Sequence, residues 1–122
     1  MIIRRTGNRT VEGLPGWEVE EKFPYHLEYR ESGKVLQLSA EMSFGPGTSI
    51  ILFDEPGMTR WQPPDRDVPL AAAAVHQILV RITASVLLLG VRPIWETIPP
   101  GAERTDWPVI WAEAQVLLRR AD

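Results

Sequence analysis

The sequence predicts an α+β fold in which an antiparallel β-sheet, mostly N-terminal, packs against one long helix. Three observations lead to this prediction: alternating strands in the first half, a capped apolar helix in the middle, and one further strand and a C-terminal helix after it. We expect about four to six strands in the main sheet. A chain of 122 residues fits a single domain, here 1–122, that buries roughly two thirds of its surface on folding.

Apolar and polar residues alternate in three N-terminal segments, WEVEEKF, YHLEYRE and VLQLSAEM. In the second segment Tyr25, Leu27 and Tyr29 share one face, and the residues between them are polar. This period of two is typical of strands with one buried face. The intervening SGK predicts a hairpin turn. The uninterrupted apolar run IILF, residues 50–53, predicts a central strand covered on both faces.

A long helix is predicted over residues 68–89. Asp67 can cap its N-terminus, Pro69 suits its first turn, and Gly90 can end it in the left-handed conformation. Its apolar stripe has helical spacing and consists of Ala71, Ala74, Val75, Ile78, Ile82, Ser85, Val86 and Leu89.

The polar side of this helix is predicted to carry His76, Gln77 and Arg81. A charge there would cost roughly 2.5 kcal/mol or more at the centre of a bilayer, so we expect no membrane association. Further apolar residues flank the stripe and predict a second contact, either with the C-terminal helix or with another subunit. A homodimer through the helix at 68–89 is therefore one possible assembly.

The last third of the chain predicts a short strand, VRPIWETI, in which Pro93 indicates a sheet edge or a bulge. A final helix should begin near Thr105 or Asp106, with Pro108 in its first turn. Its apolar stripe comprises Trp107, Ile110, Trp111, Ala114, Leu117 and Ala121.

Composition excludes several classes of protein. The net charge of −3 and the pI near 5.4 argue against a nucleic-acid-binding protein, which usually carries a basic face. The chain has no cysteine, which excludes disulfides and thiolate metal sites. Its N-terminus has no apolar stretch of signal-peptide length. We therefore expect a cytoplasmic protein.

No pattern of catalytic or metal-binding residues is present. His26 and His76 are fifty residues apart and neither lies in a metal-ligand motif. Asp65 and Asp67 suit a turn and a helix cap better than a cation site. No nucleophile motif or phosphate-binding loop occurs. We therefore predict no enzymatic activity, no cofactor and no metal.

Candidate partner-binding residues occur in two places. In RWQPPD the prolines stiffen the chain beyond Trp61, so its ring is either packed in the core or held out for a partner together with Arg60 and Asp65. Trp and Arg are enriched at interface hot spots. The outer face of the predicted sheet supplies the second group, which consists of Glu18, Glu20, Glu28 and Arg30.

The order IILF, RWQPP, AVHQILVRITASVLLLGV and IWE, preceded by YHLEYRESGKVLQLSAEM, resembles a small family of bacterial polymorphic-toxin immunity proteins, immunity protein 74. The resemblance covers about residues 25–96 and rests on the Trp-x-Pro-Pro element between strand and helix. It implies a single-domain cytoplasmic protein, not an enzyme, that binds and neutralises a cognate protein toxin. The resemblance assigns no functional residues, so the candidate contacts come from the chain's own pattern of charged and aromatic residues.

Two other functions are compatible with the sequence. A small-molecule-binding or sensory domain would hold its ligand between sheet and helix, in a pocket lined by Tyr25, Tyr29 and Trp95. A structural homodimer would use the wide apolar face of the long helix.

Overall fold

The protein is described from a computed structural model, in which an α+β fold is observed. The structure describes residues 2–14, 16–22, 26–43, 47–54, 60–97, 102–103 and 105–121. The strands are β1 (Ile2–Arg5), β2 (Thr10–Leu14), β3 (Trp17–Lys22), β4 (His26–Glu31), β5 (Lys34–Ser43), β6 (Ser49–Asp54), β7 (Arg92–Thr97) and β8 (Ala102–Glu103). The helices are α1 (Ala72–Leu88) and α2 (Trp107–Leu118). The predicted α+β class is confirmed, and the predicted order of strands, helix, strand and helix is matched except for the additional strand β8 before α2.

All the strands belong to one sheet, in which they lie in sequence order from β1 to β8. Neighbouring strands are antiparallel except β6 and β7, which are parallel. The parallel pair follows from α1, because a helix that crosses over the sheet returns the chain in its starting direction. The sheet has more strands than predicted. The additional strands β1, β2 and β8 have only four, five and two residues, too few for a clear alternating pattern.

The sheet curls around α1. This helix contacts β7 towards one end of the sheet and β1 and β2 at the other. Ile3 in β1 forms a parallel bridge to Ala121, just beyond α2, so the C-terminal segment lies against the first strand. Residues from both helices and from most strands meet in one buried core.

Helix α1 begins later than predicted. Its N-cap residue is Ala71, which provides no side-chain hydrogen bond to the first turn. Asp67 is therefore not the cap, because the three residues 68–70, a bend followed by irregular backbone, separate it from Ala71. The end of α1 matches the prediction: Gly90 has a φ of 83°, and its N–H donates to the Leu87 carbonyl at 2.9 Å.

The middle of α1 is buried on every side, from Ile78 to Val86. Helix α2 of the same chain packs against α1 and supplies the second contact that the wide apolar surface predicted. His76 reinforces this contact, because its Nε2 lies 2.7 Å from Glu113 Oε2 on α2. The prediction that Arg81 lies on a polar side is wrong, since its side chain is only 11 % exposed. A homodimer through this helix stays a prediction. The middle of α1, however, is already covered within the chain and offers no open apolar face to a second copy.

The IILF segment lies in β6, between β5 and β7, as a central strand. Ile50 and Leu52 are buried, whereas Ile51 and Phe53 are half-buried. One face is thus fully covered and the other only in part.

The C-terminal elements largely match their predictions. In β7, the described pairing with β8 reaches only Glu96 and Thr97, which leaves Pro93 at an edge as expected. Helix α2 has Asp106 as its N-cap residue and a proline in its first turn. None of the described helices has the length and apolarity needed to span a membrane.

Candidate binding surface on the sheet

The outer face of the sheet carries the charged residues that the sequence predicted there. Side chains alternate along each strand, and Trp17 and Val19 of β3 point into the core. Glu18 and Glu20 alternate with these two residues and therefore point away from the core. The register places Glu18 opposite Arg30 and Glu20 opposite Glu28 on β4.

Arg30 holds three carboxylates together. Its Nη1 donates to Glu28 Oε1 at 2.7 Å, and its Nη2 donates to Glu20 Oε1 at 3.0 Å and to Glu18 Oε1. We call Glu18, Glu20, Glu28 and Arg30 the Arg30 cluster. Lys22 Nζ adds a contact of 3.4 Å to Glu28 Oε2. Three carboxylates facing two cations leave one negative charge in excess.

The Arg30 cluster is partly withdrawn from water. The side chain of Glu28 is 12 % exposed and that of Arg30 is 28 % exposed. Glu20 and Glu28 lie directly opposite each other, an arrangement that is unfavourable for like charges unless a cation lies between them. The guanidinium fork of Arg30 fills this role. The surplus negative charge is therefore held in fixed positions rather than on freely moving side chains.

A cleft of about 410 Å³ lies beside the Arg30 cluster, at the ends of the hairpins β2–β3 and β4–β5. Its described lining includes Glu12, Glu18, Glu31 and Trp17, of which Trp17 is only 3 % exposed. Gly13 makes room for the Trp17 ring, because a Cβ atom at that position would lie 1.9 Å from Trp17 Cε2. The cleft is thus bordered by acidic residues and by a nearly buried tryptophan.

A buried polar network lies on the inner side of the same strands. Arg81 Nη1 donates to the Tyr29 hydroxyl at 2.6 Å and to Glu31 Oε2 at 3.2 Å, and Tyr29 donates to Glu31 Oε1 at 2.8 Å. The Arg81 guanidinium lies 5.5 Å from the centroid of the Trp17 ring, a cation–π arrangement. Burial raises the pKa of Tyr29 well above its usual range, and the hydrogen bond to Glu31 raises it further.

Sequence reasoning missed this network, although one signal was present. Glu31 has the same strand parity as Leu27 and Tyr29, which places a carboxylate on the core side of β4. Arg81 lies within an otherwise apolar helical segment. An acid and a base on facing apolar surfaces indicate a buried ion pair. Within the described part of the chain, Arg81 Nε and Trp17 Nε1 are buried without a hydrogen-bond partner.

The connector before α1 places Trp61 in the core. Its side chain is 7 % exposed, it forms an antiparallel bridge with Leu36, and its ring stacks on Tyr29 at 6.3 Å between centroids. The N–H of Gln62 donates to the Val35 carbonyl at 2.6 Å. The structure thus decides between the two predicted positions, and Trp61 is not presented to a partner.

Arg60, by contrast, lies on the outer face. Because Trp61 points inward, the exposed side chain of Arg60 points the opposite way, alongside Gln37 on β5. Gln37 is itself opposite Glu28. The connector, β5 and β4 are neighbours in that order, so two strand spacings separate Arg60 from Glu28. This corresponds to about 10 Å between their Cα atoms. The structure therefore brings Arg60 and the Arg30 cluster onto one surface.

Asp65 serves the turn that follows. Its N–H donates to the Gln62 carbonyl at 3.0 Å, and its own carbonyl accepts from Val68 at 2.9 Å. No described contact joins Asp65 to the Arg30 cluster.

Of the three residues predicted to line a small-molecule pocket, the structure describes two, Tyr29 and Trp95. Tyr29 and Trp95 are fully buried in the core, and Trp95 Nε1 donates to Thr83 Oγ1 at 2.8 Å. Tyr25 lies outside the described residues. The described residues also contain no group of three or more His, Cys, Asp or Glu side chains that could hold a metal ion.

Comparison with protein-family models, with curated proteins and with solved structures found no significant match to this chain.

Proposed function

We propose that this protein is a non-enzymatic interaction protein that binds and neutralises a protein toxin with a basic surface. The observation that carries this proposal is the Arg30 cluster, in which an excess of carboxylates is fixed on the outer face of the sheet. The resemblance to immunity proteins over about residues 25–96 suggests the same role.

The position of the Arg30 cluster suits recognition of a folded partner. Hydrogen bonds to Arg30 hold the three carboxylates in place on paired strands, so little side-chain freedom is left to lose on binding. An acidic patch also accelerates encounter with a basic surface. Arg60, at one end of the patch, would favour a partner with a matching acidic group there.

The neighbouring cleft would accept a lysine or arginine side chain of the toxin. Such a side chain could pair with the carboxylates of Glu12 and Glu18. In the described contacts, Arg4 and Arg30 engage the Oε1 atoms of these two glutamates. The Oε2 atoms would accept the hydrogen bonds from the partner.

The first experiment is affinity capture with the tagged protein from its native cells. A supporting result is a single partner that arrests growth when expressed alone and no longer does so when this protein is co-expressed. The purified pair is then tested with the double variant Glu18→Gln and Glu20→Gln. We expect its affinity to fall at least about tenfold and its salt dependence to weaken, because two charges are removed at unchanged size.

The matched control is Glu113→Gln, which removes a carboxylate from α2 rather than from the sheet. It should leave partner affinity unchanged. Circular dichroism verifies that all variants are folded. The proposal is wrong if no growth-arresting partner is captured. It is also wrong if the double variant Glu18→Gln and Glu20→Gln binds such a partner as tightly as the original protein.

A further inference from the structure

A second cleft, of about 570 Å³, lies between β7 and α2. Its described lining consists of Arg92, Pro93, Ile94, Trp107, Pro108 and Trp111. This volume is within the range of small-molecule sites, which are mostly apolar with a few polar groups. The cleft is separate from the Arg30 cluster, with which it shares none of these residues.

Two indole rings form one wall of this cleft. The ring centroids of Trp107 and Trp111 are 5.5 Å apart and their planes are inclined at 56°. Trp107 also contacts the fully buried ring of Trp95 at 6.3 Å, which holds it in place. Both wall residues are only half-buried, although they lie on the apolar stripe of α2. An aromatic ring that entered the cleft could therefore stack against an indole.

The strand side of the cleft is unsuited to pairing with another strand. Pro93 has no N–H to donate, and the N–H of Arg92 donates to the Thr48 carbonyl at 3.3 Å, towards β6. Neither Arg92 nor Pro93 therefore offers a free backbone N–H to an occupant of the cleft.

The positive charge of Arg92 favours an anionic ligand in the cleft. Arg92 is exposed and is the only charged residue among the described lining residues. It forms no ion pair with another described residue, whereas Arg4, Arg30 and Arg81 each pair with glutamate. A guanidinium binds a carboxylate through two parallel hydrogen bonds. We propose that the cleft between β7 and α2 is a binding site for a small planar aromatic carboxylate.

The test uses naphthoate as probe, with uncharged naphthamide and cationic naphthylmethylamine as matched compounds. Binding is followed by tryptophan fluorescence and by calorimetry. We expect saturable binding of naphthoate with a Kd below about 1 mM, binding of naphthamide at least about tenfold weaker, and no binding of the amine. We expect this order of affinities because only the carboxylate of naphthoate can form an ion pair with Arg92, whereas a cationic amine would be repelled by it.

Two variants locate the site. Arg92→Gln should weaken naphthoate binding about tenfold and leave naphthamide binding unchanged. Trp111→Leu should weaken the binding of both compounds, because it removes a stacking surface. The control Arg119→Gln removes an exposed charge beyond the end of α2 and should change neither.

Failure of naphthoate to saturate the folded protein would overturn the proposal. So would equal binding of naphthoate and naphthamide, or an Arg92→Gln protein that binds naphthoate like the original. The glutamine variants of the Arg30 cluster should bind naphthoate normally, so this test is independent of the proposed toxin neutralisation.

Discussion

The guanidinium of Arg81 is stabilised in the protein interior by three different kinds of contact. The Tyr29 hydroxyl and the Glu31 carboxylate accept hydrogen bonds from Nη1, and the Trp17 ring lies within cation–π distance. A buried charge without such partners would be strongly destabilising. Because Glu31 also lines the cleft beside the Arg30 cluster, the network joins α1 to the candidate binding surface.

Tyr29 should make the protein sensitive to alkaline pH. Its pKa is raised in the folded state, whereas in the unfolded chain it ionises near pH 10. Above about pH 10 the unfolded state loses a proton that the folded state keeps. The contribution of Tyr29 to the free energy of unfolding should therefore be constant below that pH and fall above it by about 1.4 kcal/mol per pH unit. Denaturant unfolding between pH 8 and 11 measures this slope, with the pH range chosen around the reference pKa.

Tyr29→Phe provides the comparison. It removes the ionisable group, so its unfolding free energy should decline less steeply above about pH 10. The variant also loses two hydrogen bonds, so the slopes rather than the absolute stabilities are compared. Equal slopes in the two proteins would contradict the assignment.

Helix α1 is held by its packing more than by its N-terminus. The cap residue Ala71 has extended backbone angles, φ −66° and ψ 152°, and no acidic residue lies in the first turn. Serine at a cap position accepts a hydrogen bond from a free N–H of that turn. We expect Ala71→Ser to raise the free energy of unfolding by about 1 kcal/mol, as measured by chemical denaturation.

Asp67→Ala is the control for this prediction. Asp67 would be the N-cap residue if the helix began where the sequence predicted. In the structure it lies in the preceding turn, so its replacement should cost less than about 0.5 kcal/mol. A larger loss at Asp67 than the gain at Ala71 would contradict the observed helix start.

At the scale of the whole molecule, α2 completes the core instead of lying on its surface. Ile110, Ala114 and Leu117 are buried, and Ala121 bridges to Ile3 in the first strand. The segment that follows α2 therefore lies against β1. A change in α2 should consequently affect the stability of the entire sheet.

Ile110→Ala tests this dependence. The side chain is 0 % exposed, so its truncation should lower the free energy of unfolding by about 2–5 kcal/mol. Circular dichroism and tryptophan fluorescence should report the same shifted transition. The adjacent Val109 is 51 % exposed, and Val109→Ala should cost less than about 1 kcal/mol. Separate transitions for the two probes would show that α2 unfolds on its own.

Local patterns were sufficient for much of the fold. The alternation around Leu27 and Tyr29, the left-handed Gly90 and the proline at the start of α2 each act within a few residues, and each was predicted correctly. The start of α1 was not, because Asp67 and Pro69 fit a helix terminus and a turn equally well. The short strands β1 and β8 carry too few residues for a periodic signal.

The candidate surface was predicted in part. Strand alternation by itself placed Glu18, Glu20, Glu28 and Arg30 on one face. The position of Trp61 could not be predicted, since a buried ring and an exposed one have the same neighbours in sequence.

The sequence by itself determined the fold class, the order of the longer elements and the outward charge of β3 and β4, because these depend on residues close together in the chain. Tertiary structure decided the rest. Arg81 became a buried cation only because α1 lies against Tyr29 and Glu31, some fifty residues away. Trp61 became a core residue because the connector bridges to Leu36. In both cases the deciding contacts join distant segments, and burial is a property of those contacts rather than of the local sequence.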